Sequence, residues 1–370
     1  MKALVTGGAG FIGSHIVDVL LERGYEVRVF DNLELPTHAS GMPAYLSKEA
    51  EFVLGDMRDR DAMHRALAGV DVIVHDAATG GFTPRIADYI SSNSLGTAQM
   101  LEIIRDEKLP VRKIVVASSI AVYGEGKYQC PEHGVVFPHL RPIDQMERRE
   151  WEVKCARCSA ELSPMPTDED TPVDPATAYG ISKYDQERLV MMFGNQTGIP
   201  VVALRYFVNY GPRQSIYNPY TGVCSIFSSR IMNDRPIIIY EDGNQTRDFI
   251  FVRDTARANL FVLEDSRADF GVFNAATGRA TSIRELAAML QRCLGKEAQI
   301  EFPARFRPGE VRHMRADVTS LAQLGFQAEC SLQDGLQQYV DWVLEQGPLP
   351  EYFTDAERLL KDAGVVRSTH

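Results

Sequence analysis

The first thirteen residues, Met1 to Gly13, read MKALVTGGAGFIG. The run Lys2–Thr6 is largely apolar and β-branched, which predicts a buried strand. Glycines follow at positions 7, 10 and 13, and a helical pattern starts directly after them. A glycine-rich turn between a strand and a helix brings backbone N–H groups and the positive end of the helix to a pair of phosphates. Because the same glycines also fit a tight turn that binds nothing, the motif needs support from the residues that follow it.

The next predicted strand gives that support through its last residue. The helical pattern ends at Gly24, the run Glu26–Phe30 predicts a second strand, and Asp31 closes it. In a dinucleotide-binding unit, an acidic side chain at this place accepts hydrogen bonds from the ribose hydroxyls of NAD and repels the 2′-phosphate of NADP. The sequence therefore predicts an NAD site at the start of the chain.

Composition limits the classes of function. The 370 residues carry a net charge of −11, which argues against a nucleic-acid partner. No apolar run is long enough to span a membrane, and the first predicted strand leaves no room for a signal peptide. We therefore expect a cytoplasmic protein with a small-molecule substrate and no membrane partner. Three of the six cysteines fall in one segment, with the spacing of a metal site rather than of a disulfide framework.

Strand and helix patterns alternate up to residue 205, which predicts an α/β fold with a Rossmann doubly wound parallel sheet. We assign residues 1–205 to this NAD-binding domain and expect later segments near 245–278 to return to it. Residues 206–370 are expected to form mostly a smaller C-terminal substrate domain. Within the first part, residues 125–170 show neither a strand period nor a helix period and are rich in Pro, Cys, His, Arg and Glu. They are predicted to be an insert.

The insert contains two short pairs of potential metal ligands. Two residues separate Cys130 from His133, and two separate Cys155 from Cys158. Three thiolates and one imidazole at this spacing are typical of a closed, structural zinc site, as in a zinc ribbon. Such a site would hold together a loop that has little core of its own. The alternative is three free cysteines and a surface histidine.

A candidate catalytic pair lies in the sequence YGISK. Tyr179 and Lys183 are four residues apart on a helical pattern, so both face one side of the helix. An ammonium group beside a phenol favours the phenolate, and a nicotinamide cation adds to the effect, so we expect a lowered pKa that makes Tyr179 a general base. Ser118 and Ser119 follow the predicted strand KIVVA, at the sheet edge where α/β sites lie, and either can bind the same substrate hydroxyl. The alternative is an ordinary exposed pair on a helix.

These motifs resemble those of the extended short-chain dehydrogenase/reductases that act on nucleotide sugars, of which UDP-glucose 4-epimerase is the best known. The resemblance spans most of the chain, in the family's order. The matching stretches include TGGAGFIGSH (Thr6–His15), DN (Asp31–Asn32), GDMRD (Gly55–Asp59), VDVIVHDAA (Val70–Ala78), ASSIAVYG (Ala117–Gly124), YGISK (Tyr179–Lys183), LRYFVNYGPRQ (Leu204–Gln214) and QTRDFIFVRD (Gln245–Asp254). The Cys-rich insert resembles that of a bacterial branch, the dTDP-L-rhamnose 4-epimerases.

The resemblance implies roles for individual residues. The residues expected to bind NAD are Gly7, Gly10, Phe11, Ile12, Asp31, Asn32, Asp56, Met57, Ala77, Ala78, Asn93, Tyr179 and Lys183. The expected catalytic set is Ser119, Tyr179 and Lys183. The nucleotide sugar is expected to contact Asn209, Arg247 and Arg307, with the two arginines on its diphosphate. The resemblance also implies a homodimer, formed through the helical segments Ser91–Asp106 and Ala178–Asn195.

The resemblance also narrows the reaction. Members that dehydrate or decarboxylate usually carry an acid where Ala121 stands, and reductive members usually use NADPH, which Asp31 disfavours. What remains is a 4-epimerase that oxidises C4 of the sugar transiently, and the insert points to a dTDP-deoxysugar. Two departures from the family pattern, the shifted Asn209 and the acidic Asp76, keep the alternatives open. These are a dehydratase, decarboxylase or oxidoreductase of the same family, or a non-catalytic NAD-binding regulatory protein.

Overall fold

The computed structural model describes residues 1–35, 37–38, 41–80, 85–216, 222–349, 353–362 and 364–369. Its strands are β1 (Lys2–Thr6), β2 (Glu26–Asp31), β3 (Glu51–Leu54), β4 (Val72–His75), β5 (Lys113–Ser119), β6 (Tyr128–Cys130), β7 (Gly134–Val136), β8 (Ser163–Pro164), β9 (Val201–Tyr206), β10 (Val208–Tyr210), β11 (Ile237–Ile238), β12 (Thr246–Arg247), β13 (Phe249–Phe251), β14 (Val272–Ala275), β15 (Thr281–Ser282), β16 (Ile300–Glu301), β17 (Arg305–Phe306) and β18 (Arg367–Ser368). Its helices are α1 (Phe11–Glu22), α2 (Arg60–Leu67), α3 (Ile86–Tyr89), α4 (Gly96–Asp106), α5 (Ile143–Glu147), α6 (Ala178–Thr197), α7 (Val223–Met232), α8 (Val252–Glu264), α9 (Ile283–Leu294), α10 (Thr319–Leu324), α11 (Leu332–Glu345) and α12 (Phe353–Asp362). A π-helical turn, Ile90–Leu95, joins α3 to α4.

Seven parallel strands form the central sheet, in the order β14-β9-β5-β4-β1-β2-β3. The order reverses between β1 and β4, which is where open α/β sheets bind their ligands. Thr6, the last residue of β1, pairs with Phe30 on one side and with His75 on the other. The predicted Rossmann-type sheet is confirmed, and the glycine turn after β1 lies at its switch point.

Helices cover both faces of the sheet because successive strand side chains point to opposite faces. In β1, Val5 joins a core that includes Leu20 of α1 and Val262 of α8. Its neighbour Leu4 joins the opposite core, which includes Met63 of α2 and Met100 of α4. Among the described residues, none of the helices combines the length and the apolar content that a membrane span requires.

Later parts of the chain return to this sheet. Strand β14 pairs with β9 at its edge, and α8 packs against α1. Leu321 of α10 and the nearby Phe326 are buried in the same core. Leu321 and Phe326 come from a segment that was predicted from the sequence to belong to the substrate domain.

The rest of the chain builds a smaller lobe around its own core. That core includes Phe227 of α7, Leu290 of α9, and Leu336 and Val340 of α11. Short strand pairs such as β10–β13 connect this lobe to the C-terminal edge of the main sheet. The lobe therefore faces the strand ends, and a cavity lies between them.

The insert is more regular than the sequence predicts. It contains a three-stranded antiparallel sheet in the order β7-β6-β8 and the short helix α5. The sequence shows no period here because strands of two or three residues are too short to produce one. Its buried core comprises Tyr128, Cys130, Val153, Cys155 and Leu162. Since two of these five residues are cysteines of the predicted metal site, burial and metal binding depend on the same small cluster.

Candidate active site

A cavity of about 770 Å³ opens between the C-terminal ends of the sheet strands and the smaller lobe, where the strand order reverses. Most of the predicted site residues line it: Gly7, Gly10, Phe11, Ile12, Asp31, Asn32, Met57, Ala77, Ala78, Ser119, Tyr179, Lys183, Asn209 and Arg247. Three predicted cofactor and substrate residues, Asp56, Asn93 and Arg307, are not among its lining residues, and the four predicted metal ligands lie apart from it in the insert. One cavity therefore brings together the predicted cofactor loop, the predicted catalytic set and part of the predicted substrate site.

The glycine turn leaves no room for side chains. Gly7 has a φ of +71°, and a Cβ there would lie 2.8 Å from the Cα of Ala77. At Gly13, a Cβ would lie 2.2 Å from the carbonyl oxygen of Gly7. Gly10 directly precedes α1, so the start of this helix, Phe11 and Ile12, lines the cavity with N–H groups that have no partner within the helix. This close-packed backbone cradle fits a dinucleotide pyrophosphate.

Asp31 is held beside the glycine turn by the backbone. Its two carboxylate oxygens accept hydrogen bonds from the N–H of Ala9 at 3.0 Å and of Leu33 at 2.9 Å. An ionised carboxylate only accepts hydrogen bonds, so this position suits the hydroxyls of a ribose. Asp56 does not line the cavity, but it accepts from Nδ2 of the lining residue Asn32 at 2.8 Å. The Arg58 guanidinium bonded to Asp56 lowers the pKa of Asp56 to about 2.

The predicted catalytic tyrosine lies in the first turn of α6. The Thr177 side chain caps this helix by accepting from the N–H of Gly180 at 3.0 Å. The Ser119 hydroxyl is close enough to the Tyr179 phenol to act, as a hydrogen-bonding neighbour, to lower the pKa of Tyr179. The hydroxyl of Ser118 instead donates to Glu187 at 2.6 Å, so it is committed elsewhere. Of the two candidate serines, Ser119 is the one paired with Tyr179.

The electrostatics of this pair differ from the expectation. Burial raises the pKa of Tyr179 to about 12, and the negative charge of Asp76 adds to the rise. Burial lowers the pKa of Lys183 to about 8. The expectation of a lowered pKa for Tyr179 was therefore wrong for the chain by itself, because the cost of burying a phenolate exceeds the help from its neighbours.

A buried polar network, which the sequence interpretation missed, lies beneath Lys183. Lys183 Nζ donates to Gln186 Oε1 at 2.6 Å, and Gln186 Nε2 lies 3.0 Å from His75 Nε2. His75 also contacts the hydroxyls of Thr6 and Thr97, both at 2.7 Å. Burial lowers the pKa of His75 to about 3, so the ring stays neutral. The spacing of three residues between Lys183 and Gln186 on one helical pattern could have indicated this contact.

Asn93 supports the wall of the cavity through hydrogen bonds. Its amide donates to Thr79 O at 3.1 Å and to Ser182 Oγ at 2.9 Å, and its Oδ1 accepts from the N–H of Thr79 at 2.7 Å. The side chain is fully buried. Asn93 therefore fixes the residues that follow Ala78 rather than lining the cavity itself.

Asp76 is the unexpected acid of the cavity. It follows directly on β4 and lines the cavity together with Ala77. Burial raises its pKa, and the nearby Asp31 charge raises it further, whereas Lys183 opposes the shift. Its charge in turn raises the pKa of Tyr179, so Asp76 is electrostatically coupled to the predicted catalytic tyrosine.

The three predicted substrate residues differ in their access to the cavity and in their partners. Arg247 lines the cavity, and its guanidinium donates to the carbonyl oxygens of Val311 at 2.8 Å and Arg312 at 3.1 Å. Asn209 also lines it, but its amide oxygen accepts from the hydroxyl of Thr255. Arg307 lies over the ring of Tyr240, with its guanidinium carbon 5.1 Å from the ring centre. Of the two predicted arginines, only Arg247 therefore has access to the cavity in this conformation.

The four predicted metal ligands converge in the insert. Cys130 Sγ lies 3.4 Å from His133 Nδ1 and 3.7 Å from Cys158 Sγ, and Cys155 Sγ lies 3.6 Å from His133 Nδ1. All four ligand atoms lie within 4.8 Å of one another. Tetrahedral zinc with ordinary Zn–S and Zn–N bonds requires S···S and S···N separations of about 3.8 and about 3.5 Å. The donor set and its spacing fit a closed zinc site.

A comparison with protein families identifies the chain. The model of the NAD dependent epimerase/dehydratase family matches residues 3–143 and 155–276. The chain belongs to this family. The unmatched gap between the two stretches falls inside the Cys-rich insert. Family membership agrees with the NAD-type cradle and with the predicted catalytic set at the cavity.

Characterised relatives in the family cover nearly the whole chain. The dTDP-L-rhamnose 4-epimerase of Burkholderia thailandensis is 34% identical over 353 residues, which are 93% of this chain and 95% of the relative. The solved structure of a UDP-glucose 4-epimerase from Thermotoga maritima with UDP-glucose is 32% identical and has a TM-score of 0.76. It matches over 94% of this chain and 99% of its own. A UDP-glucuronic acid 4-epimerase from Bacillus cereus, solved with UDP-glucuronic acid and NAD, is 28% identical with a TM-score of 0.76, covering 94% of this chain and 100% of its own.

Proposed function

We propose that the protein is an NAD-dependent nucleotide-sugar 4-epimerase. The observation that carries the proposal is that Tyr179, Ser119 and Lys183 line the cofactor cavity while Ala121 lines it where the family's dehydratases and decarboxylases usually carry an acid. The acid that would assist elimination or decarboxylation of the oxidised sugar is therefore replaced here by the methyl group of Ala121. The 4-epimerases among the relatives support the same choice of reaction.

Each residue of the catalytic set has a chemical task. Tyr179 removes the proton of the sugar 4-hydroxyl and returns it at the end of the cycle, with Ser119 orienting the hydroxyl. A bound NAD would supply the reversible acceptor for the hydride of C4, and its nicotinamide charge would favour the phenolate. Lys183 contributes a nearby positive charge whenever its amine is protonated. The sugar has to present both faces of C4, so it must be held by its diphosphate, and Arg247 supplies a positive charge for that diphosphate at the cavity wall.

The class of sugar is suggested by the Cys-rich insert, which resembles that of the dTDP-L-rhamnose 4-epimerases. The B. thailandensis relative acts, by its name, on dTDP-L-rhamnose. We therefore propose a dTDP-deoxysugar such as dTDP-L-rhamnose as the first substrate to test, ahead of UDP-glucose.

The proposal is tested by offering dTDP-L-rhamnose, UDP-glucose and UDP-glucuronic acid separately to the NAD-loaded protein and resolving the 4-epimers by NMR. Formation of one 4-epimer, approached from either side of the equilibrium, is the expected result. A 4-keto-6-deoxy product, a decarboxylated product or no reaction with any nucleotide sugar would contradict it. The Tyr179→Phe variant controls for a contaminating epimerase.

We also propose that Cys130, His133, Cys155 and Cys158 hold one structural zinc ion. All four coordination positions are then filled by the protein, so no position is left for an activated water. Elemental analysis of protein prepared without chelators should give about one zinc per chain, as expected for one closed four-ligand site. A protein free of zinc would contradict the site.

A homodimer is a further part of the proposal. Ile90, Leu95, Ile181 and Met192 expose 39%, 51%, 45% and 41% of their surface, on the π-helical turn and on α6. Met100 of α4, a candidate for either this surface or the core, is fully buried in the Rossmann core. Light scattering should give a dimer, and Ile181→Glu with Met192→Glu should give a monomer. Leu344→Glu, on the exposed side of α11, is the matched control and should remain dimeric.

A further inference from the structure

The insert contacts the substrate side of the cavity through residues close to its metal ligands. Glu152, three residues before Cys155, accepts from Arg312 Nε at 3.0 Å and Nη2 at 2.6 Å. Its other oxygen pairs with His313 Nε2 at 2.9 Å. The Tyr128 hydroxyl, two residues before Cys130, accepts from the backbone N–H of His313 at 3.3 Å. Both ends of the metal cluster are therefore linked to residues 312 and 313.

Arg312 is enclosed by carboxylates. Its side chain is 0% exposed and donates to Glu241 at 2.9 Å and to Asp242 at 2.7 and 2.9 Å, besides Glu152. Its backbone N–H donates to Glu125 at 2.7 Å. Glu152 belongs to the insert and the acids at 241 and 242 belong to the smaller lobe, so Arg312 ties the two together. A buried charge held from several sides has one position, because leaving any partner unpaired is costly.

The backbone around Arg312 in turn fixes the side chain of Arg247. The carbonyl oxygens of Val311 and Arg312 accept from the two terminal nitrogens of Arg247, and Glu310 Oε1 accepts from one of them at 3.2 Å. Arg141 of the insert holds the same segment by donating to the carbonyl oxygen of Glu310 at 3.0 Å. The direction of the Arg247 guanidinium at the cavity wall is therefore set by residues 310–312 together with Thr246, whose carbonyl oxygen accepts from Arg247 at 2.9 Å. Residues 310–312 are in turn held by the insert.

We propose that the metal-bound insert positions Arg247, so that metal occupancy sets the affinity of the cavity for a nucleoside diphosphate. Glu152 is the positioning residue of this link. The proposal rests on the proposed function, in that it takes the substrate to be a nucleotide sugar and the metal to be zinc. The coupling is reciprocal by thermodynamic necessity, so a bound nucleoside diphosphate must also strengthen zinc binding by the same factor.

The direct test measures UDP and dTDP binding to the NAD-loaded, zinc-loaded protein by calorimetry. Glu152→Gln should weaken the better of the two probes by about tenfold, within the usual range of coupling between two sites. KM for the nucleotide sugar should rise in proportion, and kcat should change by less than about threefold, because the chemistry at Tyr179 is untouched. Zinc content should stay at that of the wild type. Glu161→Gln, an exposed acid of the same insert, removes the same charge and should change neither constant.

The reciprocal test needs no turnover. Zinc affinity is measured by competition with a chelator, with and without the better-binding nucleoside diphosphate, and the probe should raise it by the factor that zinc removal lowers probe binding. Cys155→Ser with Cys158→Ser should lose zinc and bind the probe as weakly as the stripped protein, while retaining NAD. Unchanged probe binding in Glu152→Gln, or no effect of the probe on zinc, would overturn the inference while leaving the proposed function intact. A wild-type protein that binds neither UDP nor dTDP would instead contradict the proposed function, and the inference would fall with it.

Discussion

Lys183 Nζ donates a hydrogen bond of 2.6 Å to the side-chain oxygen of Gln186, three residues further along the same helix. The Gln186 amide nitrogen in turn contacts Thr97 Oγ1 at 3.1 Å and His75 Nε2 at 3.0 Å. The lysine at the cavity wall is thus tied to a neutral polar network that reaches down to the end of β1. Its amine is oriented by the protein before a cofactor arrives.

The variant Gln186→Leu tests this link. Losing a hydrogen bond to a charged group costs about 1.5–3 kcal/mol, so we expect kcat or NAD affinity to fall by about tenfold or more. Gln99→Leu on the neighbouring α4 is a matched control, because among the described residues Gln99 Oε1 has no hydrogen-bond partner. Steady-state kinetics and NAD titration measure the effect. Equal behaviour of the two variants would show that Gln186 does not position Lys183.

Tyr179→Phe removes the proposed base and leaves the ring in place. We expect bound NAD to be retained and kcat to fall by more than about a thousandfold, within the range for a positioned general base. Retained cofactor is read from the absorbance of the purified protein, and turnover from the epimer ratio over time. Near-normal turnover would remove Tyr179 from the mechanism.

Asp31 should set the choice of cofactor. Its carboxylate is fixed beside the glycine turn, so the 2′-phosphate of NADP would meet a like charge there. We expect the wild type to prefer NAD and Asp31→Ala to narrow that preference by about tenfold or more, as for removal of a like-charge clash. Calorimetric titration with both cofactors measures it, with the exposed Asp61→Ala as control. Equal affinity of the wild type for the two cofactors would contradict the assignment.

Asp76 should tune the pH dependence of the reaction. Its negative charge raises the pKa of Tyr179, so Asp76→Asn should lower that pKa. A general base is active when ionised, and activity falls as the pH drops below its pKa. The acid limb of the kcat profile should therefore move to lower pH in Asp76→Asn, by about one pH unit for the loss of a nearby charge.

The exposed variant Asp61→Asn is the control for this pH experiment and should leave the limb in place. An acid limb in Asp76→Asn that stays where it was, or moves to higher pH, would show that the coupling between Asp76 and Tyr179 does not govern turnover.

The fold could be predicted because the strands of a parallel sheet are buried on both faces and read as short apolar runs. The run ending at Thr6 and the run ending at His75 lie side by side in the sheet, and the glycine turn lies where the strand order reverses. Asp31, Tyr179 and the pair Ser118 and Ser119 could be predicted because each sits at a strand end or a helix start. The choice of Ser119 over Ser118 came from the family resemblance. Local sequence determines such positions.

What the sequence could not predict depends on contacts far apart in the chain. The raised pKa of Tyr179 follows from its burial, which no spacing shows. Asn93 supports Thr79 rather than lining the cavity, and Arg307 lies over Tyr240, and both facts depend on side-chain packing. The link from Glu152 to Arg312 joins positions 160 residues apart and has no local signal at all.

The central claim is that C4 of the sugar is oxidised and reduced within one closed cycle. The most direct measurement uses a nucleotide sugar that carries deuterium at C4, chosen as the substrate that gives an epimer, and follows the label by NMR and mass spectrometry during turnover in ordinary water. The account predicts that both 4-epimers keep the deuterium at C4 and that kcat or kcat/KM falls relative to the unlabelled sugar. Loss of the label to water with continued epimerisation would contradict the account.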